Sequence, residues 1–259
     1  FNTLSFERSD IVSLPKEVTG SLKDAGGHTY PIQEGESTNF VYLERLSSKG
    51  YNTYTNEPEK SGDVTARISG DGSHFETPFY RVEMDQAGMF TSIYDKAAGR
   101  ELVQEGRRAN QFRMFEDKPI YYDNWDIDIF HTEKSWIADE ADEFEWMTNG
   151  PVSAVLKIKR KISNSMIVQK ISFYRHAKRI DFDTYVDWKD SQCLLKAEFS
   201  LDIHSDEAAF DIQFGNLKRK VHQNTSWDKA RFESCGHKWV DLSEGHYGVN
   251  ACLLYTSEL

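Results

Sequence analysis

The sequence predicts an all-β protein, a large antiparallel β-sandwich preceded by a small β domain. Three observations predict it. Apolar and polar residues alternate at period two along most of the chain, while few stretches carry a helical period. Turn signals separate these stretches at short spacing. Aromatic residues make up 13% of the 259 positions, a content that suits strands and equally suits surfaces that stack on sugars.

Taken in order, Asn2 to Val18 reads as a strand, a break at Pro15 and a second extended piece. Gly26-Gly27 and Gln33 to Ser37 are turns, Phe40 to Leu43 is a short apolar strand, and Ser47 to Tyr51 is another turn. The polar stretch Asn56 to Asp63 is the expected domain boundary, giving a small β domain with its linker over 1–63 and a large sandwich over 64–250. In the sandwich, Phe79 to Asp85 and Met89 to Asp95 flank Gln86-Ala87-Gly88 as a hairpin. Val155 to Ile162 and Met166 to Tyr174 form a second hairpin around Ser163 to Ser165. Ile180, Phe182, Thr184, Val186 and Trp188 share one strand face, and Leu195, Ala197, Phe199 and Leu201 make the next apolar face. Long two-sided strands at this spacing point to a sandwich.

The formal net charge of −11 argues against nucleic acid and anionic membrane as partners, since both require a basic face. No apolar run reaches about 18 residues, so no transmembrane helix is expected. The opening residues lack the layout of a signal peptide and an initiator Met, which suggests a chain that begins inside a longer protein. Cys193, Cys235 and Cys252 have neither disulfide-framework nor zinc-knuckle spacing, and a reducing, cytoplasmic setting is preferred.

Two constellations carry chemistry. Phe115 to Asp128 gathers the carboxylates of Glu116, Asp117, Asp123 and Asp126 with Tyr121, Tyr122 and Trp125. Carboxylates accept hydrogen bonds from sugar hydroxyls, and indole faces stack on the apolar side of a pyranose. The competing reading is an acidic surface loop anchored in the core by Trp125 and Tyr121. The second constellation runs from Phe214 to Glu244 and mixes His222, Asn224, Thr225, Trp227, Asp228, Arg231, Glu233 and His237 at irregular spacing. Its competing reading is a long loop satisfied by its own turns, Thr225-Ser226 before Asp228 being suited to one. His222 with Asp228, or His237 with Asp241, is too little for a metal site, and no nucleophile elbow or phosphate loop is present. Paired carboxylates for glycosidic hydrolysis, Asp123 with Asp126 or Asp126 with Asp128, are weaker than a solvated-loop reading.

Three ordered motifs resemble glycoside hydrolase family 38, the α-mannosidases, in the C-terminal half of its bacterial and cytosolic branch. They are Tyr80 to Glu83 with Thr91 to Lys96, Phe115 to Pro119 with Tyr122 to Asp128, and Phe214 to Arg219 with Asn224 to Asp228 and His237 to Glu244. The opening stretch Asn2 to Arg8 resembles the start of the small β domain there, so the resemblance covers nearly the whole chain up to Asn250.

The resemblance implies a supersandwich of the galactose-mutarotase-like kind and an accessory role in a retaining, zinc-dependent enzyme that hydrolyses terminal α-mannosides of mannose-containing oligosaccharides. The zinc and the Asp nucleophile would belong to a missing N-terminal catalytic domain. This chain would have no cofactor, metal ligand or catalytic residue of its own and would be inactive alone. Tyr122, Asp123, Trp125, Asp126, Asn224, Thr225, Trp227 and His237 would then face the substrate cleft.

Two departures stand out. Lys220-Val221-His222-Gln223 replaces the family's Pro-Thr-His-Arg, and the lost arginine weakens any contact that needed its charged fork. Cys252 to Ser257 looks like translated sequencing-library adaptor, so 251–259 is expected to be a non-native tail and the sheet to have lost a strand partner, with an open edge. The alternatives are a free-standing carbohydrate-binding module and a structural interaction domain.

Overall fold

The computed structural model describes residues 1–58, 68–123 and 125–253. Most of the expected boundary, from Glu59 to Asp63, lies outside the described residues, as do the expected sandwich start at Val64, Asn124 of the acidic-aromatic motif and residues 254–259 of the expected tail.

The chain opens with β1 (Arg8–Leu14), β2 (Ser21–Asp24), β3 (Thr29–Gln33), β4 (Asn39–Leu46) and β5 (Tyr54–Glu57). There follow β6 (Ser69–Gly70), β7 (His74–Glu76), β8 (Tyr80–Met84), β9 (Phe90–Asp95), β10 (Arg100–Glu101), β11 (Ala109–Glu116), a 3₁₀ turn (Ile129–Glu133) and β12 (Ser135–Ile137). Next come β13 (Glu143–Asn149), β14 (Ser153–Ile162), β15 (Ser165–Tyr174), β16 (Ile180–Asp187) and β17 (Cys193–Phe199). The last elements are β18 (Glu207–Ile212), β19 (Gly215–Lys220), the short helix α1 (Ser226–Ala230), β20 (Trp239–Glu244) and β21 (Tyr247–Cys252). The fold is all-β and antiparallel, as the alternation predicts. Contacts divide it into two compact units, Phe1–Arg100 with Ala138–Asp190, and Glu101–Ile137 with Ser191–Leu259.

In the first unit, the opening strands form a sheet in the order β1-β4-β3-β2-β5. β1 stops at Leu14 because Pro15 has no N–H to donate. Leu22, Val41, Leu43 and Leu46 are buried together, with Val12, Leu14, Tyr30 and Ile32 packed against them. Strict alternation from Val41 would put Leu46 outside. Instead Arg45 adopts a left-handed φ of 53°, and the register slips from Leu43 opposite Asp10 to Leu46 opposite Arg8. The bulge returns Leu46 to the core.

Two further sheets of this unit face each other as a sandwich. One has the order β9-β8-β7-β6, the other β13-β14-β15-β16. Both expected hairpins are present. β8 and β9 pair from Tyr80 opposite Asp95 to Met84 opposite Phe90. β14 and β15 pair from Ser153 opposite Tyr174 to Ile162 opposite Ser165. Between the sheets, Phe75 meets Phe173 at 4.8 Å and Trp146 at 5.0 Å, both edge-on. Phe90 meets Phe173 at 6.2 Å and Phe182 at 6.1 Å. Leu156, Ile158, Ile167 and Ile171 are fully buried, each stabilising the fold by about 1.5–3 kcal/mol through removal of apolar surface from water.

The small sheet is joined to this sandwich by the Gln33 amide, by Tyr42 stacked on His176 at 4.1 Å and by Lys170 paired with Glu36 at 2.6 Å. Gln33 Oε1 accepts from the backbone N–H of Val152 and of Ser153, each at 2.8 Å, and its Nε2 donates to the Ser153 carbonyl at 3.0 Å. Gly150 lies against the same side chain. A Cβ there would come within 2.6 Å of Gln33 Cδ.

In the second unit, β11 pairs antiparallel with β12 and β17, Arg113 lying opposite Ile137 in one and Lys196 in the other. Phe112, Met114 and Phe115 are buried. The expected apolar face of β17 is only partly covered, Phe199 being 42% exposed. The last strands form a sheet in the order β19-β18-β20-β21. Among its described residues Ala208 is the one buried apolar side chain. Pairing of β20 with β21 continues through Cys252 opposite Trp239. At the first residue of the Lys220-Val221-His222-Gln223 departure, Lys220 pairs in register with Glu207, and its ammonium sits 2.9 Å from the Glu207 carboxylate.

Candidate functional site

Both constellations lie in the second unit. β11 delivers the first and ends at Glu116, just before Pro119. The ammonium groups of Lys118 and Lys134 each donate to Glu116 at 2.9 Å, and these bonds, Lys118 first, hold its carboxyl below the usual carboxylate range. Across a loop, Ile120 N–H donates to Asp128 Oδ2 at 2.8 Å and closes it. Inside the loop the N–H groups of Trp125 and Asp126 both donate to the Tyr122 carbonyl, at 2.8 and 3.0 Å. Tyr122 takes a left-handed φ of 59° to permit this.

The loop's aromatic side chains are not anchored in the core. Trp125 is 89% exposed, and Tyr121 and Tyr122 are each 75% exposed. Asp123 and Asp126 are also exposed, the latter accepting from Ile127 N–H at 2.9 Å. The result is a closed loop that presents phenol and indole faces beside carboxylates.

The second constellation is organised by a capping box. Thr225 Oγ1 accepts from Asp228 N–H at 3.2 Å, and Asp228 Oδ2 accepts from the Thr225 hydroxyl at 2.7 Å and its N–H at 3.2 Å. This reciprocal pair satisfies the first turn of α1. The Thr225 hydroxyl bond holds the Asp228 carboxyl below its ordinary range. Thr225, expected to face substrate, therefore spends its hydroxyl on the cap. Trp227 stands 73% exposed on the same turn. Asn224 and His237 are exposed, and the His237 N–H donates to the Asp211 carbonyl at 3.1 Å. His222 Nδ1 lies 3.6 Å from Asp228 Oδ2. Among the described residues no three His, Cys, Asp or Glu side chains converge in a metal-binding cluster.

The two constellations meet at residues the sequence reading passed over. His131, on the 3₁₀ turn just after Asp128, is buried. Its Nδ1 lies 2.9 Å from the Asp128 carbonyl. Its Nε2 lies 3.1 Å from Lys196 Nζ and 3.4 Å from Glu233 Oε1. Lys196 also bonds to Glu233 and sits 5.2 Å from the Phe115 ring centroid. The His131 ring packs edge-on against Phe115 at 5.2 Å and near Phe232 at 5.8 Å. A hollow of about 320 Å³ opens beside this cluster, between Glu116, Lys118, Asp128, His131 and Lys134. His131 follows the acidic run as a lone histidine, and Lys196 occupies the polar side of an alternating strand, so neither left a sequence signal. Glu233 and Phe232 belonged to the second constellation, but nothing in their spacing named their partners.

The family model described as the glycosyl hydrolases family 38 C-terminal domain matches residues 75–253. Alpha-mannosidase 2C1 of Mus musculus is 32% identical over 250 residues, covering 96% of this chain and 23% of that protein. Alpha-mannosidase G of Dictyostelium discoideum is 34% identical over 269 residues, covering 96% of this chain and 24% of its own length. The chain thus spans about a quarter of the length of these relatives. In structure, an alpha-mannosidase from Enterococcus faecalis V583 matches with a TM-score of 0.67 at 12% identity, over 96% of this chain and 36% of that one, a likeness of fold.

Proposed function

The chain belongs to the glycosyl hydrolases family 38 C-terminal domain, and from that premise we propose that it is the accessory β portion of a retaining, zinc-dependent α-mannosidase. In this reading it walls part of the substrate cleft, and the intact enzyme hydrolyses terminal α-mannosides of mannose-containing oligosaccharides. The observation that carries the reading is the closed loop that holds Tyr122 and Trp125 in solvent beside Asp123 and Asp126. Neighbouring aromatic rings exposed together on one loop are the kind of surface that marks a binding site, and a pyranose face, with its hydroxyls taken by the flanking carboxylates, suits this one. Alignment with α-mannosidases over 96% of the chain favours an integral part of such an enzyme over a free-standing carbohydrate-binding module.

The chain's own contribution is orientation and exclusion of water rather than bond chemistry. Trp125, Tyr122 and Trp227 would stack on sugar rings. Asp123, Asp126, Asn224 and His237 would fix hydroxyls. Thr225, already committed to its cap, would hold Trp227 in place. The described residues contain no three-ligand cluster to receive zinc, so no step through the metal is assigned to them. The metal and nucleophile belong, in this reading, to an N-terminal catalytic domain, which is the chain's main partner, in a cytoplasmic enzyme.

The test is kinetic. The isolated chain should not hydrolyse an aryl α-mannoside with or without added zinc. Trp125→Ala and Trp227→Ala in the intact enzyme should each raise KM about tenfold, as loss of one stacked ring of about 1–1.5 kcal/mol implies. Chelator-sensitive turnover by the isolated chain, or unchanged KM in both variants, would overturn the reading.

A further inference from the structure

We propose that His131, Lys196 and Glu233 form a junction that couples the two aromatic segments, so that the loop carrying Tyr122 and Trp125 and the turn carrying Trp227 keep one position relative to each other. Its role in sugar binding rests on the cleft-wall reading above; its geometry does not.

The three residues come from three separate stretches. His131 stands on the 3₁₀ turn that follows the first loop, three positions after the Asp128 that closes that loop. Glu233 lies a few residues beyond α1, which carries Trp227. Lys196 belongs to β17, locked to β11 by seven register pairs. The first two are therefore fixed to a sheet strand through the third.

The two ring nitrogens of His131 reach different partners. The Asp128 carbonyl can only accept, which places a proton on His131 Nδ1. His131 Nε2 faces both the Lys196 ammonium, at 3.1 Å, and the Glu233 carboxylate, at 3.4 Å. Glu233 then supplies the counter-charge to Lys196. The apolar rings of Phe115 and Phe232 flank His131, and Phe115 also lies beside the Lys196 ammonium. His131 is buried, Lys196 is half-buried and Glu233 is exposed, so the network runs from the interior to the surface and ties the two segments to one buried ring.

Backbone amides on both sides report on the junction. Those of Trp125 and Asp126 are held by the Tyr122 carbonyl, and those of Lys229 and Arg231 by the Thr225 and Asp228 carbonyls. Lys196→Met removes the ammonium while retaining an apolar stem over Phe115. Glu233→Gln retains shape and removes charge.

Hydrogen exchange on this chain should show each variant speeding exchange at least fivefold in both 120–128 and 225–233, with Phe112 and Met114 in β11 unchanged. Lys196→Arg, which keeps the cation, should restore slow exchange. A change confined to 225–233, or no change, overturns the coupling, and faster exchange throughout β11 would mark a general loss of structure and equally overturn it. In the intact enzyme, Lys196→Met should raise KM for an aryl α-mannoside at least fivefold while kcat stays within twofold. Coupled exchange with unchanged KM would leave the junction standing and sink the cleft-wall reading, whereas uncoupled exchange sinks the junction whatever KM does.

Discussion

The hairpin of β14 and β15 and the sheet of β18 to β21 are written in the same alternating code, yet they end in opposite conditions. In the first, Ala154, Leu156, Ile158, Ile167 and Ile171 are completely buried. In the second, only Ala208 among the described apolar side chains is buried, Leu217 is 41% exposed, and Phe214 stands fully in solvent at a hairpin tip with a left-handed φ of 64°. Alternation at period two settles which residues share a face. Whether a second layer covers that face depends on what packs against it. The first hairpin has the rings of Phe75 and Phe90 across from Phe173. The second sheet has no comparable cover among the described residues.

The contrast can be broken or sharpened by substitution. Leu156→Ala should cost the most, about 2–5 kcal/mol, read as a drop in denaturation midpoint at constant m-value; a loss under about 1 kcal/mol would show that the buried face is loosely packed. Next comes the alkaline limb of the first unit. Burial, and then the bond to Asp181 at 2.7 Å, push the Tyr174 hydroxyl up to about 12. The folded state thus holds this proton more tightly than the unfolded chain, whose value is near 10.0. The contribution is complete below about pH 10 and fades as pH rises toward about 12. Tyr174→Phe should flatten the fall in stability across that window, partially, since Tyr30 is raised in the same way. An unchanged slope would refute the assignment.

Smaller effects belong to the second unit. Thr225→Ala removes the cap of α1 and should cost about 1 kcal/mol, with Thr225→Ser restoring most of it. Leu217→Ala, on the open sheet, should change stability by about 0.5 kcal/mol or less. A loss near that of Leu156→Ala would mean that this face is covered in solution.

The sequence made the strands legible because the pleat imposes its own period. It located Pro15 as a strand end and both hairpins within a residue or two. It did not foresee the Arg45 bulge, since a left-handed arginine leaves no compositional trace. At the site, residue types identified the acidic-aromatic loop, and the resemblance named Tyr122, Trp125 and Trp227, all of which stand in solvent. It also named Thr225, whose hydroxyl is consumed by a capping box that Thr-Ser-Trp-Asp spells out locally. The junction of His131, Lys196 and Glu233 was illegible because its members are 65 and 37 positions apart, and such contacts are created by topology.

Gln33 links the small sheet to the sandwich in a way that changes what the small sheet is. Its amide completes hydrogen bonds that Val152 and Ser153 would otherwise leave unmade in the interior, as the backbone of one more strand would. Neither partner can withdraw without orphaning buried donors. The opening strands are therefore conditional structure. They and the sandwich should melt in a single cooperative step, and severing the chain between them would yield two pieces that must find each other again before either is complete.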